Sequence, residues 1–489
     1  MATSDKRLIS GFLWNLGEKL LIQVIAFIVG IILARKLGPE VYGLVAIVSI
    51  IISLLTVATN LYTGTYLMRK KEIDSLDLNT CFYFTLFVNI FIYLVLFLVA
   101  PLLATFYGKP ELTSLLRVIG ISVVISSFLG IKLVLVVRNY DYKKYFWASL
   151  FGTLVAGATG IALAYLGFGA WALAAQHCLD GVIDAIILWL VIKWNPKFEF
   201  SFKRLKEMLK YGLPLWMFGI VDSFSTRLQQ LVIGKKYTSS DLAYYNRGES
   251  FPSIIESNST SALNNVLLRK VSEEQDKIQN VGKILRKITR ICLYISIPSM
   301  FGLASVATTT IKLLLGDEWI PSVYFLQVFC IAFALKPFEV TSDVALKAVG
   351  RTKQFFVFGL IKRAFLIIAV FCTVPFGVKA IAIGFLVASI FAYITSLIVN
   401  SRYFKISLFH QLFDAFLPLL VSFIMWIIVA KIGSIMLGIK SIIILLIQLI
   451  CGVLFYVISI FMLDKNTIVS AKNLIVSFIG KGDKKNDKQ

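Results

Sequence analysis

Ionisable and amide side chains recur at helical spacing inside otherwise apolar stretches of this 489-residue chain. A charged group at the centre of a membrane-spanning helix costs about 2.5–3.5 kcal/mol on insertion scales, so it is kept where it faces water, a partner or a substrate. Glu249, Ser253, Glu256, Thr260 and Asn264 follow at spacings of 4, 3, 4 and 4, which lines them along one helical face. Lys336, Glu339, Asp343 and Lys347 do the same with alternating sign. Asn15, Lys19 and Gln23 form a third stripe with Glu18 beside it, and His177, Asp180 and Asp184 form a fourth. Asp222 and Arg227 share one span with Gln229 and Gln230, Asn258 lies beside the first stripe, and Lys362 and Arg363 are adjacent in another apolar stretch. Cations in a low-dielectric cavity could hold a phosphate, Arg through two oxygens at once and Lys as a point charge. Amides and hydroxyls could hold sugars, and the acids with His177 could exchange protons or bind a coupling ion. Each stripe also reads as a self-neutralised helix contact, the His177 cluster as a hydrogen-bonded structural group, and Arg117, Lys132 and Arg247, near span ends, as side chains snorkelling to the interface.

The elements that must position these residues follow from composition. Apolar residues make up 58% and charged residues 16%, against about 45–50% and about 25% in soluble proteins. A span needs about 20 mostly apolar residues, so fourteen of them would fill about 57% of the chain. Apolar windows predict spans at 8–34, 40–62, 80–106, 113–137, 145–166, 168–192, 211–234, 246–268, 288–312, 322–346, 354–374, 377–400, 409–430 and 440–463. The eighth, ESFPSIIESNSTSALNNVLL, is polar and is included because orientation requires it. With a cytoplasmic N-terminus, about two thirds of the 49 Lys and Arg residues fall in inner loops; without the eighth span every later loop would change sides and that bias would collapse. Both termini are therefore expected in the cytoplasm.

Overlaying the halves gives matches at a near-constant offset: Lys143 and Lys353, and Phe146 and Phe356, are 210 apart. The expected fold is an all-α polytopic membrane protein of two six-helix bundles related by a pseudo-two-fold repeat, plus two C-terminal helices. Residues 1–192 form the N-terminal lobe, 193–210 a basic amphipathic helix lying on the inner leaflet, 211–400 the C-terminal lobe, 401–463 two additional spans and 464–489 a basic tail. The stripes of both bundles are expected to line a hydrated cavity between them. Prolines such as Pro101, Pro252, Pro298, Pro337 and Pro418 lie in or at the ends of spans, where they permit bending.

Several functions are excluded. The +22 net charge sits in alternate loops rather than beside aromatic platforms for bases, so no nucleic-acid partner is expected. Six scattered cysteines offer no paired metal-ligand spacing, and no metal or other cofactor is expected. There is no nucleophile elbow, no phosphate-binding loop for ATP and no histidine beyond His177 and His410, so the chain does not read as an enzyme. Energy would come from a proton or sodium gradient or from the membrane potential.

GFLWNLGEKLLIQVIAFIVGIILARKLGPEVYGLVAI near the start, then TYLMRKKEI, VVRNYDYKKYFWASL, LGFGAWALAAQ, DLAYYNRGESFPSII and LLLGDEW, cover most of residues 10 to 360. In order and spacing these segments resemble the Wzx-type polysaccharide flippases, the transporters of O-antigen, capsule, exopolysaccharide or teichuronic acid in the superfamily that also holds multidrug extruders and lipid II flippases. The resemblance implies alternating access that carries a polyprenyl-pyrophosphate-linked oligosaccharide from the cytoplasmic to the outer leaflet of a bacterial inner membrane. Its cargo would be an undecaprenyl-pyrophosphate oligosaccharide, and its partners membrane lipids and the polysaccharide polymerase or export machinery. Under that reading Lys19, Arg227, Lys336, Lys362 and Arg363 bind pyrophosphate; Asn15, Gln23, Gln229, Gln230, Asn258 and Asn264 meet the glycan. Asp180, Asp184, Asp222, Glu249, Glu256, Glu339 and Asp343 couple to an ion. The alternatives are a cation-coupled multidrug exporter of the same superfamily, which predicts an anionic cavity, and a lipid II flippase.

Overall fold

A 58-residue apolar helix would be about 87 Å long at 1.5 Å per residue, nearly three times the hydrocarbon thickness of a bilayer. The first helix of the protein, α1 (Ala2–Thr59), has that length and is broken inside the sequence LGPE: Gly38 leaves helical geometry at φ 71°, ψ 173°, and Pro39 follows with no N–H to give. Glycine takes that positive φ without steric cost, and the proline reopens a helix in its first turn. The two arms match the first two expected spans.

The computed structural model describes residues 2–59, 63–274, 277–436 and 440–464, leaving aside the side chains of 2–13, 15, 16, 18, 214, 215, 218, 261–266, 268, 269, 273 and 434. Asn15 and Asn264, and all of the expected tail but Asp464, thus lie outside the described residues. The helices after α1 are α2 (Thr63–Arg69), α3 (Ser75–Tyr107), α4 (Leu112–Asn139), α5 (Tyr142–Tyr165), α6 (Ala170–Val191), α7 (Phe202–Lys236) and α8 (Ser239–Glu273). There follow α9 (Ile278–Ser305), α10 (Ala307–Leu314), α11 (Ser322–Ala334), α12 (Lys336–Ala348), α13 (Thr352–Thr373), α14 (Val378–Phe404), α15 (Leu408–Ile435) and α16 (Ser441–Leu463). No strand occurs among the described residues. Among the described residues, ten helices are long and apolar enough to cross a membrane, or eleven spans if the bent pair α11 and α12 is one. With α1 broken in two, and with α7 and α8 each 35 residues long although more polar, the architecture is consistent with about fourteen spans.

The chain divides into two compact units, Met1–Ala243 and Tyr244–Gln489. In the first, α1 packs on α4, α5, α6 and α7, while α3 lies against α4 and α5 against α6. Asp74 caps α3 reciprocally with Asp77, whose buried carboxylate also takes Lys70 at 2.6 Å and Arg204 at 3.0 Å. Arg138 at the end of α4 donates to the carbonyls of Leu67, Lys70 and Lys71, the orphan acceptors at the end of α2. In the second unit α9 packs on α11, α12 and α15, and α14 on α11, α12 and α13. Arg286 and Arg290 of α9 reach Asp414 of α15, and Arg290 also reaches Asp464 beyond α16. The two final helices are thereby tied to α9 by charge as well as by apolar packing.

Two expectations need correction. The segment 193–210 is not one amphipathic helix: residues 193–201 are not helical, and α7 starts at Phe202 and runs unbroken into the seventh expected span. Pro196 accounts for part of this, because a proline disfavours helix at the residue before it. Tertiary contacts account for the rest: Lys197 N donates to Asn79, and Ser201 N to Thr80 before the Ser201 hydroxyl caps α7. The boundary between compact units falls after Ala243, and α7 packs with α1, α2 and α3 inside the first unit. The second correction is Lys132. It does not snorkel; it is fully buried. Its Nζ donates to the carbonyls of Ile192 at 2.9 Å and Trp194 at 2.6 Å, and lies 4.3 Å from the Trp189 ring centre.

Candidate functional site

The tenth expected span breaks where a proline demands it. Pro337 stands in the first turn of α12, where its ring would collide with the preceding turn of a continuous helix. The chain leaves helical geometry at Leu335 (ψ 7°), and α11 and α12 meet at 42°. The bend points the alternating charges of α12 at α13. Lys336 Nζ lies 2.7 Å from Glu339, and Lys362 Nζ of α13 lies 3.0 Å from Asp343 and 3.8 Å from Glu339. Lys362 is 5% exposed and Glu339 7%. Charges so placed are tolerated because each has an opposite partner at contact distance.

Neighbouring helices extend the cluster. Glu256 of α8 and Arg363 of α13 lie within electrostatic range of Lys336, and Glu256 accepts from Thr260 at 2.8 Å. Three cations, Lys336, Lys362 and Arg363, thus stand among three acids, Glu256, Glu339 and Asp343. Lys347, the last member of the α12 stripe, does not join them; its ammonium sits 4.2 Å from the Phe355 ring centre. Asn258, two residues on from Glu256, donates to the carbonyl of Ile254. Glu249 lies one turn C-terminal to Tyr245 and faces its buried hydroxyl electrostatically.

The expected residues of the first unit gather in separate places. Asp180 accepts from Thr153 of α5 at 3.1 Å, His177 lies close enough to act on Asp180, and Asp184 is buried against Gly152, whose missing side chain makes room for it. On α7, Arg227 donates to Gln230 at 3.2 Å; Gln229 and Gln230 are buried, Asp222 is half-buried and Arg227 exposed. On α1, Lys19 is exposed and Gln23 half-buried. The charged cluster of α8, α12 and α13 is therefore where the structure brings the largest number of expected site residues together.

One group was missed. Ser389, Tyr393, Ser396 and Asn400 recur at spacings of 4, 3 and 4 on α14. Tyr393 is buried, donates to the carbonyl of Ala332 near the end of α11 and lies in electrostatic range of Glu339 and Glu256. The spacing was a signal of the same kind as the other stripes, weakened because it carries no charge.

A half-buried row of amides, hydroxyls and paired ions within membrane-spanning helices can hold a polar solute that must not meet lipid. Comparison with known proteins bears on what that solute belongs to. The family of polysaccharide biosynthesis proteins matches residues 32–324, more than half of the chain. The chain belongs to that family. It is similar to the succinoglycan biosynthesis transport protein ExoT of Rhizobium meliloti, 24% identical over 71% of this chain and 71% of that protein. The lipopolysaccharide biosynthesis protein WzxC of Escherichia coli is 21% identical over 81% of both chains. Among solved structures, the lipid II flippase MurJ in an inward closed conformation superposes with a TM-score of 0.76, covering 94% of this chain and 100% of that one at 16% identity, which establishes a shared fold. This polysaccharide biosynthesis protein is thus a multi-pass helical membrane protein that shares its fold with the lipid II flippase MurJ.

Proposed function

We propose that this polysaccharide biosynthesis protein is a flippase that moves a polyprenyl-pyrophosphate-linked oligosaccharide from the cytoplasmic to the outer leaflet of a bacterial inner membrane. Membership of the family, together with the buried charges of α12 and α13, carries the reading. Both termini lie in the cytoplasm, as the bias of Lys and Arg requires. The chain does no covalent chemistry; the cargo leaves as it enters.

Lys336, Lys362 and Arg363 are the groups that receive the pyrophosphate. Glu339 and Asp343 neutralise Lys336 and Lys362 when cargo is absent, which keeps the buried Lys362 and the half-buried Lys336 tolerable. Cargo competes with those acids for the cations, and the displaced carboxylates become free to take a proton or a sodium ion. Loading is thereby coupled to an ion without a further cofactor. Lys19 and Arg227 supply additional positive charge on α1 and α7, and Gln23, Gln229, Gln230 and Asn258 meet the sugars. Asp180, Asp184, Asp222 and Glu249 are the remaining acids available to a coupling ion. Alternating access, turning on bends such as that between α11 and α12, exposes the loaded site to one side and then the other.

The test is the double variant Lys362→Ala with Arg363→Ala expressed in a host lacking the native gene. Membrane insertion is retained and surface polysaccharide is lost. Wild-type polysaccharide in that variant contradicts the assigned site. Intact polysaccharide in the deletion host, accompanied by new sensitivity to cationic dyes, contradicts the cargo and favours an exporter of small amphipathic cations.

A further inference from the structure

Residues 193–201, between α6 and α7, are held as a non-helical strap across the first turns of α3. Lys132 grips the carbonyls of Ile192 and Trp194 at one end. Asn79, fully buried, accepts from Lys197 N at 3.2 Å and donates to the Glu199 carboxylate at 3.2 Å, and Thr80 accepts from Ser201 N at 3.1 Å. Trp194 packs edge-on against Phe82 within the aromatic group that also holds Trp189. The strap is a fixed part of the first unit.

What it presents outward is unlike a water-facing loop. Phe198, Phe200 and Phe202 follow at every second position into the first turn of α7; Phe198 sits in a tight turn closed by the Glu199 N–H on the Lys197 carbonyl, and the Phe200 and Phe202 rings meet edge-on. Phe198, stacked on Tyr83 on one side, is 98% exposed and Phe202 80%, so the folded chain leaves most of both rings uncovered. Around them stand Lys193, Lys197, Lys203, Lys206 and Lys210, all exposed and none in an ion pair among the described residues. The other charges of the segment are already engaged: Arg204 holds Asp74 and Asp77, Glu199 takes Asn79, and Glu207 takes the Tyr66 hydroxyl. On α7 the lysines at 203, 206 and 210 lie opposite buried Leu205 and Met208, so their face points away from the protein. The strap sits level with the ends of spans α3 and α6, where lipid headgroups begin.

We propose that this strap and the first turns of α7 form a binding surface for acidic phospholipid in the adjoining leaflet, which the distribution of Lys and Arg makes the cytoplasmic one. The phenylalanines enter the boundary between headgroups and acyl chains, and the five lysines meet phosphate charge. The excess of unpaired positive charge selects an anionic lipid over a zwitterionic one. A soluble partner protein would leave Phe198 and Phe202 exposed to water until it arrived, whereas lipid covers them at all times.

Native mass spectrometry of the full-length protein, released from micelles holding equal phosphatidylglycerol and phosphatidylcholine, tests the assignment. The wild type retains phosphatidylglycerol in preference. Changing all five lysines to Gln lowers that preference roughly tenfold, and Phe198→Ser with Phe202→Ser lowers retention of both lipids. Equal melting temperatures in lipid-free detergent establish that the variants fold. Should the five-fold variant fail that check, Lys203→Gln with Lys206→Gln, two exposed side chains without partners, is expected to lower the preference at least twofold. An unchanged lipid ratio in a folded variant overturns the proposal. So does a photocrosslinker at position 198 that captures protein rather than lipid in native membranes.

Discussion

Lys362 illustrates how a buried cation can serve two masters. Its ammonium is held by Asp343 and Glu339 in a nearly closed environment, and removing one member of such a pair strands the other. Lys362→Ala is expected to destabilise the protein by about 3–5 kcal/mol and to abolish transport, measured as thermal unfolding in detergent and as surface polysaccharide. Adding Asp343→Ala should restore much of the stability and none of the transport. Equal recovery of both would reduce Lys362 to a structural role. Lys132 has no acid partner among the described residues and no transport role in this account. Lys132→Met, which removes the side-chain donor shared by the Ile192 and Trp194 carbonyls, should cost about 1–3 kcal/mol and lower polysaccharide only in proportion to the protein remaining in the membrane. The sequence showed the charges of α12 on one face because helical spacing displays them. It did not show that Lys362 closes the group, since the approach of α13 depends on the bend at Pro337. Lys132 was misread for a related reason: its acceptors lie 60 and 62 residues away, in a segment whose path the sequence did not reveal.

At the scale of elements, hydropathy located the spans well, and the breaks in α1 and before α12 fall at Gly38 and Pro337, which interrupt helices by geometry. The strap was less legible. A basic, aromatic segment after a span reads as an amphipathic helix, and contacts distant in sequence, those of Asn79, Thr80 and Lys132 among them, hold it out of helix. The polar helix α8 was recovered by orientation alone, and α7, placed by its apolar window at 211–234, is like α8 too polar over its full length to be counted among the long apolar helices. Pro337→Ala should straighten α11 and α12, moving Glu339 away from Lys362. Spin labels at the far ends of these helices would report a bend well below 42°, with transport slowed in a protein that still folds. An unchanged bend would place its cause in packing rather than in the proline. A second prediction concerns the clamp between α3 and α7. The Asp77 backbone N–H and the nearby Arg204 guanidinium hold the Asp74 carboxyl below its ordinary value of 3.8. A folded pKa below the unfolded one contributes stability that is fully present above 3.8 and is lost as pH falls through the folded value. Acid titration of unfolding should therefore show a loss below about pH 4 that is smaller in Asp74→Asn.

For the whole molecule, the sequence revealed class before mechanism. A chain that is 58% apolar with cations concentrated in alternate loops can only be a polytopic membrane protein, and its motifs pointed to the family that the comparison then established. Which charges meet cargo is less readily read, because spacing puts residues on a face and says nothing of what that face meets. The division after Ala243 has the same origin, since α7 joins the first unit through contacts with α1, α2 and α3 that lie far away in sequence. The central claim is that a lipid-linked oligosaccharide crosses the membrane through this chain. The most direct measurement deletes the gene in its host and follows, in sealed right-side-out vesicles, how much polyprenyl-pyrophosphate oligosaccharide is reachable by an enzyme added outside. The account predicts that this lipid accumulates beyond the enzyme's reach while surface polysaccharide disappears, and that both defects are reversed by the wild-type gene but not by Lys362→Ala with Arg363→Ala. Oligosaccharide lipid that stays reachable from outside in the deletion strain would contradict it.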